Sequence, residues 1–438
     1  MLLERRFGRL TQERHRARLL RATLIRWQQR GVFVLGGIAV GATAVAFAIM
    51  ADRAQRGFAD LLALGRFWPL LVTPLGFMLA ALATHRFFAN SQGSGIPQVI
   101  AAHRLGSGAI RQKLVSLRVG AGKILLTTFG LLCGASTGRE GPTVQVGAAL
   151  MFAVGRLSPR RQSGLIVAGA AAGIAAAFNT PIAGIIFGIE ELTRTFERRT
   201  SGLILATVVA AGSVSLLLVG NYTYFGTSTG TLHGAALWLG IPFCGVSGGL
   251  SGGAFSRLVI GVSGGSVFGR WARSRPVVFA GACGLAVALV GVVSGGATYG
   301  TGYAEVRAAL DGSAAIDLQF APLKFIATLT SSLSGIPGGI FSPSLAIGAG
   351  LGADIARLFS TVDVGAMILL GMVAYLAGVV QAPITAFVIV TELTNDRAML
   401  MPVMLTALIA HGTARLVCPD GIYHALARRF LATEPRKD

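Results

Sequence analysis

The sequence predicts an all-α protein that crosses a membrane many times, built as two similar helical halves. Composition, a long internal repeat and a set of glycine–proline interruptions carry that prediction. Of 438 residues, 53% are hydrophobic and 13% charged, against roughly 25% charged in soluble domains. Apolar runs such as Val32–Met50, Leu203–Gly220, Val277–Val293 and Met399–Val417 recur along the chain. Each approaches the roughly 20 residues that a spanning helix needs.

The formal charge of +20 does not point to nucleic acid. Nine arginines fall between Arg5 and Arg30, others in short loops such as Arg156-Leu-Ser-Pro-Arg-Arg and near the C-terminus. Cytoplasmic flanks of spanning helices carry positive charge in this way, and no RNA- or DNA-binding motif accompanies it. Residues 1–30 interleave Leu and Arg without a long apolar core. They read as a basic amphipathic helix on the cytoplasmic surface, not as a signal peptide. Cys133, Cys244, Cys283 and Cys418 are scattered with no CxxC, and the six His include no HExxH pair. No metal and no cofactor is expected. An intramembrane enzyme using Glu190, Glu191 or His411 would need a nucleophile or metal cluster, and neither is present.

Both termini are basic, which places them on one side and makes the number of full crossings even. Between them the chain repeats itself. Gly93-Ser-Gly-Ile-Pro-Gln-Val-Ile-Ala-Ala resembles Gly300-Thr-Gly-Tyr-Ala-Glu-Val-Arg-Ala-Ala at an offset of 207. Gly138-Arg-Glu-Gly-Pro-Thr-Val-Gln-Val-Gly resembles Gly339-Ile-Phe-Ser-Pro-Ser-Leu-Ala-Ile-Gly at 201. Ala177-Phe-Asn-Thr-Pro-Ile-Ala-Gly resembles Val379-Val-Gln-Ala-Pro-Ile-Thr-Ala at 202, and each leads into a Glu-Leu-Thr, at Glu191 and Glu392. The predicted units are residues 31–220 and 230–418, followed by a C-terminal helix and tail, 419–438, lining the cytoplasmic side of the pore.

Three interruptions stand out: Gly93–Pro97, Gly138–Pro142 and Gly338–Pro343. Each places Gly or Ser before a Pro suited to the first turn of a helix. Polar backbone inside a bilayer is tolerated only where it is buried in protein or lines a cavity. Internally repeated transporters use such discontinuous helices to hold substrate between their halves, near the midplane. The free N–H groups of a helix start favour an anion there. Arg139 and Glu140 sit within the second interruption, and an ionisable residue at that depth marks a functional site.

Taken together, Gly93-Ser-Gly-Ile-Pro, Gly138-Arg-Glu-Gly-Pro and Gly338-Gly-Ile-Phe-Ser-Pro, with Tyr423 near the end, resemble the CLC family of chloride channels and chloride/proton antiporters. The resemblance spans essentially the whole membrane portion. It implies two inverted-topology halves whose broken helices meet at a midplane anion site. It also implies a homodimer in which each subunit has its own anion pathway. The chain ends about fifteen residues after Tyr423, which fits a short prokaryotic member without cytoplasmic CBS domains, placed in the inner (cytoplasmic) membrane.

The same resemblance assigns roles. Ser94 and Tyr423 would donate their hydroxyls to a dehydrated halide, and Ile340 and Phe341 their backbone N–H groups. Gly95, Ile96 and Gly141 would complete the anion site. Glu140 matches the gating glutamate and Glu191 the internal proton acceptor. A carboxylate at Glu191 favours coupled chloride/proton antiport over a passive channel; exchange of fluoride or nitrate is the other alternative. Glu190 reads as structural, and Glu392, its neighbour's counterpart in the repeat, is given no proton role. Lys123 corresponds to a family lysine near the pathway, but Gln98 and Ile100 stand where family transporters often carry acids, which leaves its partner open. The expected partners are chloride, protons, the lipid bilayer and a second copy of the chain.

Overall fold

A computed structural model describes the backbone of residues 2–105, 108–157, 161–194, 198–220, 225–226, 235–359 and 362–432. Side chains are described within these from residue 31 onward, apart from 157, 198–201 and 235–237. The first half runs α1 (Leu2–Leu64), α2 (Pro69–Phe87), α3 (Ile96–Arg104), α4 (Gly108–Leu114), α5 (Leu117–Leu132), α6 (Glu140–Val154), α7 (Gln162–Phe178), α8 (Pro181–Phe187) and α9 (Arg198–Val219). The second runs α10 (Ala235–Gly264), α11 (Val267–Ser274), α12 (Pro276–Val293), α13 (Tyr303–Leu310), α14 (Phe320–Leu333), α15 (Phe341–Ala356), α16 (Val364–Val380), α17 (Pro383–Thr394) and α18 (Leu400–Val417). A last helix, α19 (Ile422–Leu431), follows. Among the described residues there is no β-strand.

Among the described residues, six helical stretches are long and apolar enough to cross a membrane: Gly31–Leu64, Pro69–Phe87, Gly108–Leu132, Gly202–Val219, Pro276–Val293 and Leu400–Val417. The four apolar runs singled out in the sequence fall within this set. The other helices are shorter, and α6, α7, α15 and α16 are buried along most of their length. Leu165–Ile189, which reads as one apolar run, is two helices. Asn179 adopts φ 57° and ends α7, and its repeat counterpart Gln381 adopts φ 59° and ends α16. The Pro that follows each then opens the next helix. Residues 2–30 are helical and continuous with the first span; the amphipathic face expected of residues 1–30 lies outside the described side chains. So does the tail beyond residue 432.

Correspondences of backbone and contact make the repeat visible in space. Gly93 and Gly300 both have φ 63°, and Gly134 and Gly335 have φ 84° and 80°. The Lys123 Nζ donates to the carbonyls of Ser91 at 2.6 Å, Gly93 at 2.7 Å and Gln92 at 3.4 Å. Lys324, 201 residues on, donates to Thr298 at 2.9 Å, Tyr299 at 3.3 Å and Gly300 at 2.9 Å. The open question of a partner for Lys123 is thereby answered by three backbone carbonyls. Each lysine satisfies the oxygens exposed where the chain breaks before α3 or α13, an accounting that buried backbone requires.

Glu190 and Glu392 tie the halves together. The Glu190 carboxylate accepts from the Ile384 and Thr385 amides, at 3.1 and 2.6 Å, and from the Thr385 hydroxyl at 2.7 Å. Glu392 accepts from the Ile182 and Ala183 amides at 3.1 and 2.7 Å. Each acid near the end of one helix therefore caps the start of its counterpart, so α8 and α17 lie antiparallel. The structural reading of Glu190 matches this geometry.

The two lysine anchors are expected to matter equally, although only Lys123 lies beside Ser94. Lys324→Met, like Lys123→Met, leaves three buried carbonyls unpaired, at a cost of about 2–4 kcal/mol. Thermal unfolding of the detergent-purified protein measures it, and a Lys324→Met protein as stable as wild type would contradict the anchor.

Candidate functional site

Two helix starts meet head to head at the centre of the molecule. Gly138 N–H donates to the Gly339 carbonyl and Gly339 N–H to the Gly138 carbonyl, both at 2.8 Å. A second bridge links Gly93 to this junction: Gly93 N–H donates to Ile336 O at 3.1 Å and Gly338 N–H to Gly93 O at 3.0 Å. The N-termini of α3, α6 and α15 therefore converge, as the three interruptions in the sequence suggest. Glycine is needed at the contact. A Cβ on Gly339 would come within 3.0 Å of the Gly141 nitrogen and of Pro142, and one on Gly141 within 3.1 Å of Ser94.

Several of the expected site residues line this junction. Ile340 precedes α15 and Phe341 is its first residue, so their amides have no partner within the helix. Glu140 and Gly141 begin α6 in the same way. Gly95 takes φ 90° just before Ile96, the first residue of α3. The Ile96 N–H donates to Ser94 Oγ at 3.4 Å, so Ser94 does serve its own helix start. Its hydroxyl hydrogen has no acceptor among the described side chains and backbone. Phe341 is fully buried, stacks on Tyr423 with ring centroids 6.1 Å apart, and meets Phe178 and Phe187 edge-on. The Tyr423 ring is buried too, and its hydroxyl has no partner. Burying a hydroxyl without a hydrogen bond is costly, so this phenol is a donor available to a ligand at the junction.

Glu140 lies within the junction. Its Oε1 accepts from the Ser342 hydroxyl at 2.7 Å, while Oε2 is buried without a partner. A Cβ on Gly138 would stand 2.2 Å from Oε2, so the carboxylate rests against bare glycine backbone. The Arg139 guanidinium donates to Asp52 at 2.5 Å and to the Ala48 carbonyl at 2.8 Å, both on α1, and its charge also acts on Glu140.

Glu191 lies in a six-residue π-helical turn, Gly188–Thr193, that continues α8. π-Turns are rare and gather at functional sites. Its side chain is 2% exposed, and its Oε1 is 3.4 Å from His424 Nε2. The same nitrogen lies 2.8 Å from the Glu191 carbonyl, and Arg104 contacts the other ring nitrogen at 3.2 Å. Arginine can only donate, so Nδ1 accepts and Nε2 carries the hydrogen that binds the Glu191 carbonyl.

Three cavities approach these groups. One of about 310 Å³ is lined by Ser94, Gln92, Arg273, Phe279 and Arg429. One of about 500 Å³ is lined by Arg139, Asp52, Gln55, Arg56 and Thr301. They are related through the repeat: Gly93 and Ser94 line the first, and their counterparts Gly300 and Thr301 line the second. A third cavity, of about 490 Å³, reaches Glu191 between Glu190, His411, Arg415 and His424. Among the described residues no His, Cys, Asp and Glu gather in a way that would hold a metal ion.

Sequence reasoning did not single out Ser342, Asp52 or His424 as partners of the site residues. Ser342 was legible only as the one hydroxyl-bearing residue inside Gly338-Gly-Ile-Phe-Ser-Pro; nothing local marks the other two.

Comparison with known proteins agrees with this architecture. The family described as voltage gated chloride channel matches residues 76–415. The H(+)/Cl(-) exchange transporter ClcA of Yersinia pestis bv. Antiqua (strain Angola) is 32% identical over 434 residues, covering 91% of this chain and 87% of that protein. The protein of the same name from Cronobacter sakazakii is 31% identical over 400 residues, covering 84% of this chain and 82% of the relative. A solved slow cyanobacterial Cl⁻/H⁺ antiporter superposes with a TM-score of 0.78 at 26% identity, covering 93% of this chain and 99% of its own. A CLC-type fluoride/proton antiporter shares the fold at a TM-score of 0.77 and 22% identity, covering 91% and 97%. The chain belongs to the CLC family of voltage-gated chloride channels and transporters.

Proposed function

We propose that this membrane protein is a proton-coupled chloride antiporter, in which Glu140 competes with chloride for one seat and Glu191 passes protons to it. The observation that carries the reading is the pair of buried carboxylates that both act on Tyr423. Glu140 and Glu191 are 0% and 2% exposed, and both lie within electrostatic reach of the Tyr423 phenol. A passive channel needs a gate but has no use for the second acid.

In this scheme chloride enters through the cavity at Ser94 and loses its water to the Ser94 hydroxyl, the Tyr423 hydroxyl and the amides of Ile340 and Phe341. The amides of Gly95, Ile96 and Gly141 complete the helix starts that face it. Such donors supply partial positive charge without a full cation that would trap the ion. Chloride moves on only when the Glu140 carboxylate leaves its place at the start of α6, which protonation or a second anion brings about. Protons arrive from the cavity at Glu191, held in position by His424. Chloride one way and protons the other move charge in the same sense. Turnover is therefore electrogenic, driven by about 2.3 kcal/mol per charge per 100 mV. Chloride and protons are the only species the scheme uses, with no cofactor. The relatives' bacterial sources support placement in the cytoplasmic membrane, with the basic termini inside. The family resemblance supports a homodimer with one pathway per subunit. Exposed apolar side chains on α9 and α18, such as Leu205, Val209, Leu405 and Leu408, provide surface for lipid or for the second copy.

Proteoliposomes with a chloride gradient and a proton electrode test this reading. Uphill proton movement is expected; chloride flux without it would leave a passive channel. Glu191→Gln is expected to keep chloride flux and lose proton flux at least tenfold. Glu140→Gln should lose coupling and make chloride flux independent of pH.

Gly138→Ala provides a second test of the seat. The added Cβ clashes with Oε2 of Glu140, so the carboxylate swings out and chloride flux near neutral pH rises several-fold. Unchanged flux and pH dependence in a folded Gly138→Ala protein would put Glu140 elsewhere in the working molecule.

A further inference from the structure

We propose that Ser342 is a positioning residue that latches Glu140 into the anion seat, and so sets how much chloride is needed to displace it. This rests on the antiport reading above. The latch is a hydrogen bond of 2.7 Å between two buried side chains from opposite halves of the chain: Ser342 is 1% exposed and Glu140 fully buried. A hydroxyl has one hydrogen to give, and that of Ser342 goes to Oε1 of Glu140.

The other charged and titratable groups around the carboxylate leave that role to Ser342. Arg139, which immediately precedes α6, acts on the carboxylate through its charge, while its guanidinium donates to Asp52 and Ala48 on α1. Tyr423, from α19, has a hydroxyl that makes no hydrogen bond among the described residues, and both Glu140 and Glu191 act on it electrostatically. The amides of Glu140 and Ser342 also face the carboxylate, but every helix start has such amides. Oε2 has no hydrogen-bond partner among the described residues. The Ser342 hydroxyl is therefore the side-chain hydrogen bond, among the described residues, that the carboxylate accepts when seated and gives up when it swings out. A guanidinium in that place would hold the gate shut.

The repeat sharpens the point. Position 342 corresponds to Gly141 at the offset of 201 that relates α6 to α15. Glu140 correspondingly aligns with Phe341, which has nothing to latch. A hydroxyl is thus present only in the half that faces a carboxylate.

A hydrogen bond to a charged group is among the stronger ones, and its loss favours both chloride and the protonated acid over the seated carboxylate. In proteoliposomes, Ser342→Ala is expected to lower the half-saturating chloride concentration about tenfold, equivalent to about 1.4 kcal/mol, without lowering the maximal rate. Its acid-activated rise in flux should move about one unit to higher pH. On a Glu140→Gln background the same substitution should change neither quantity. If Ser342→Ala does not fold, Ser342→Gly, which copies the residue at 141, takes its place.

The latch is overturned if the half-saturating chloride and the pH profile stay at wild-type values. It is equally overturned if the maximal rate alone falls, or if the effect persists without Glu140. Failure of the antiport reading looks different: wild-type vesicles would move no protons uphill, whatever residue stands at 342.

Discussion

The structure depends on two helices that start face to face. Joined by the reciprocal bonds between Gly138 and Gly339, α6 and α15 point their positive ends at one another. Each end carries roughly half an elementary charge, so the junction repels itself until something negative occupies it. In the described state the occupant is the Glu140 carboxylate, attached to one of the two helices. A mobile anion relieves the same repulsion, which makes the acid and the ion competitors by construction. Selectivity for an anion therefore follows from the backbone before any side chain is considered, and the side chains adjust how firmly the seat is held.

Building that junction means breaking helices inside an apolar body, which exposes carbonyls and amides that lipid cannot satisfy. The protein answers each exposure with a side chain drawn from elsewhere in the sequence. Lys123 and Lys324 collect three carbonyls apiece ahead of α3 and α13. Glu190 and Glu392 collect the free amides at the starts of α17 and α8. These four charges are buried or half-buried for structural reasons, although a charge within a membrane usually suggests transport chemistry. Glu190 and Glu191 show how closely the two uses sit: consecutive acids in one π-turn, the first clasping the other half and the second lining a cavity beside His424.

What the sequence made legible follows the range of the forces involved. The repeat and the three glycine–proline interruptions survive in the linear order, because a helix start needs particular residue types at fixed spacing. The convergence of Ser94, Glu140, Ile340 and Phe341 could be read from them. Long-range partners could not. Lys123 meets carbonyls some 30 residues away, Arg139 meets Asp52 across 87 residues, and Ser342 meets Glu140 across 202. No local pattern encodes those pairings. The break at Asn179 was hidden for another reason: the apolar run from Leu165 to Ile189 continues across it without a change in composition, and only the left-handed φ of Asn179, with Pro181 after it, marks the turn.

The repeat also explains why a nearly symmetric scaffold can carry an asymmetric process. Both halves build a hydroxyl at a helix start beside a cavity, Ser94 in one and Thr301 in the other. In the second half, Gln55 Oε1 accepts from the Thr301 amide at 3.0 Å and from its hydroxyl at 3.2 Å. The donors that would face an anion are already used by a neutral side chain of α1. Ser94 has no such plug among the described residues, and its cavity is lined by Arg273 and Arg429. The carboxylate, for its part, belongs only to α6. One half thus keeps its helix-start hydroxyl uncommitted and supplies the carboxylate, while its twin contributes amides, the Ser342 hydroxyl and a cavity in which Gln55 engages the corresponding hydroxyl. Two identical halves would pass ions alike from either side. Substituting a few residues on a shared backbone is enough to make the two helix starts chemically different.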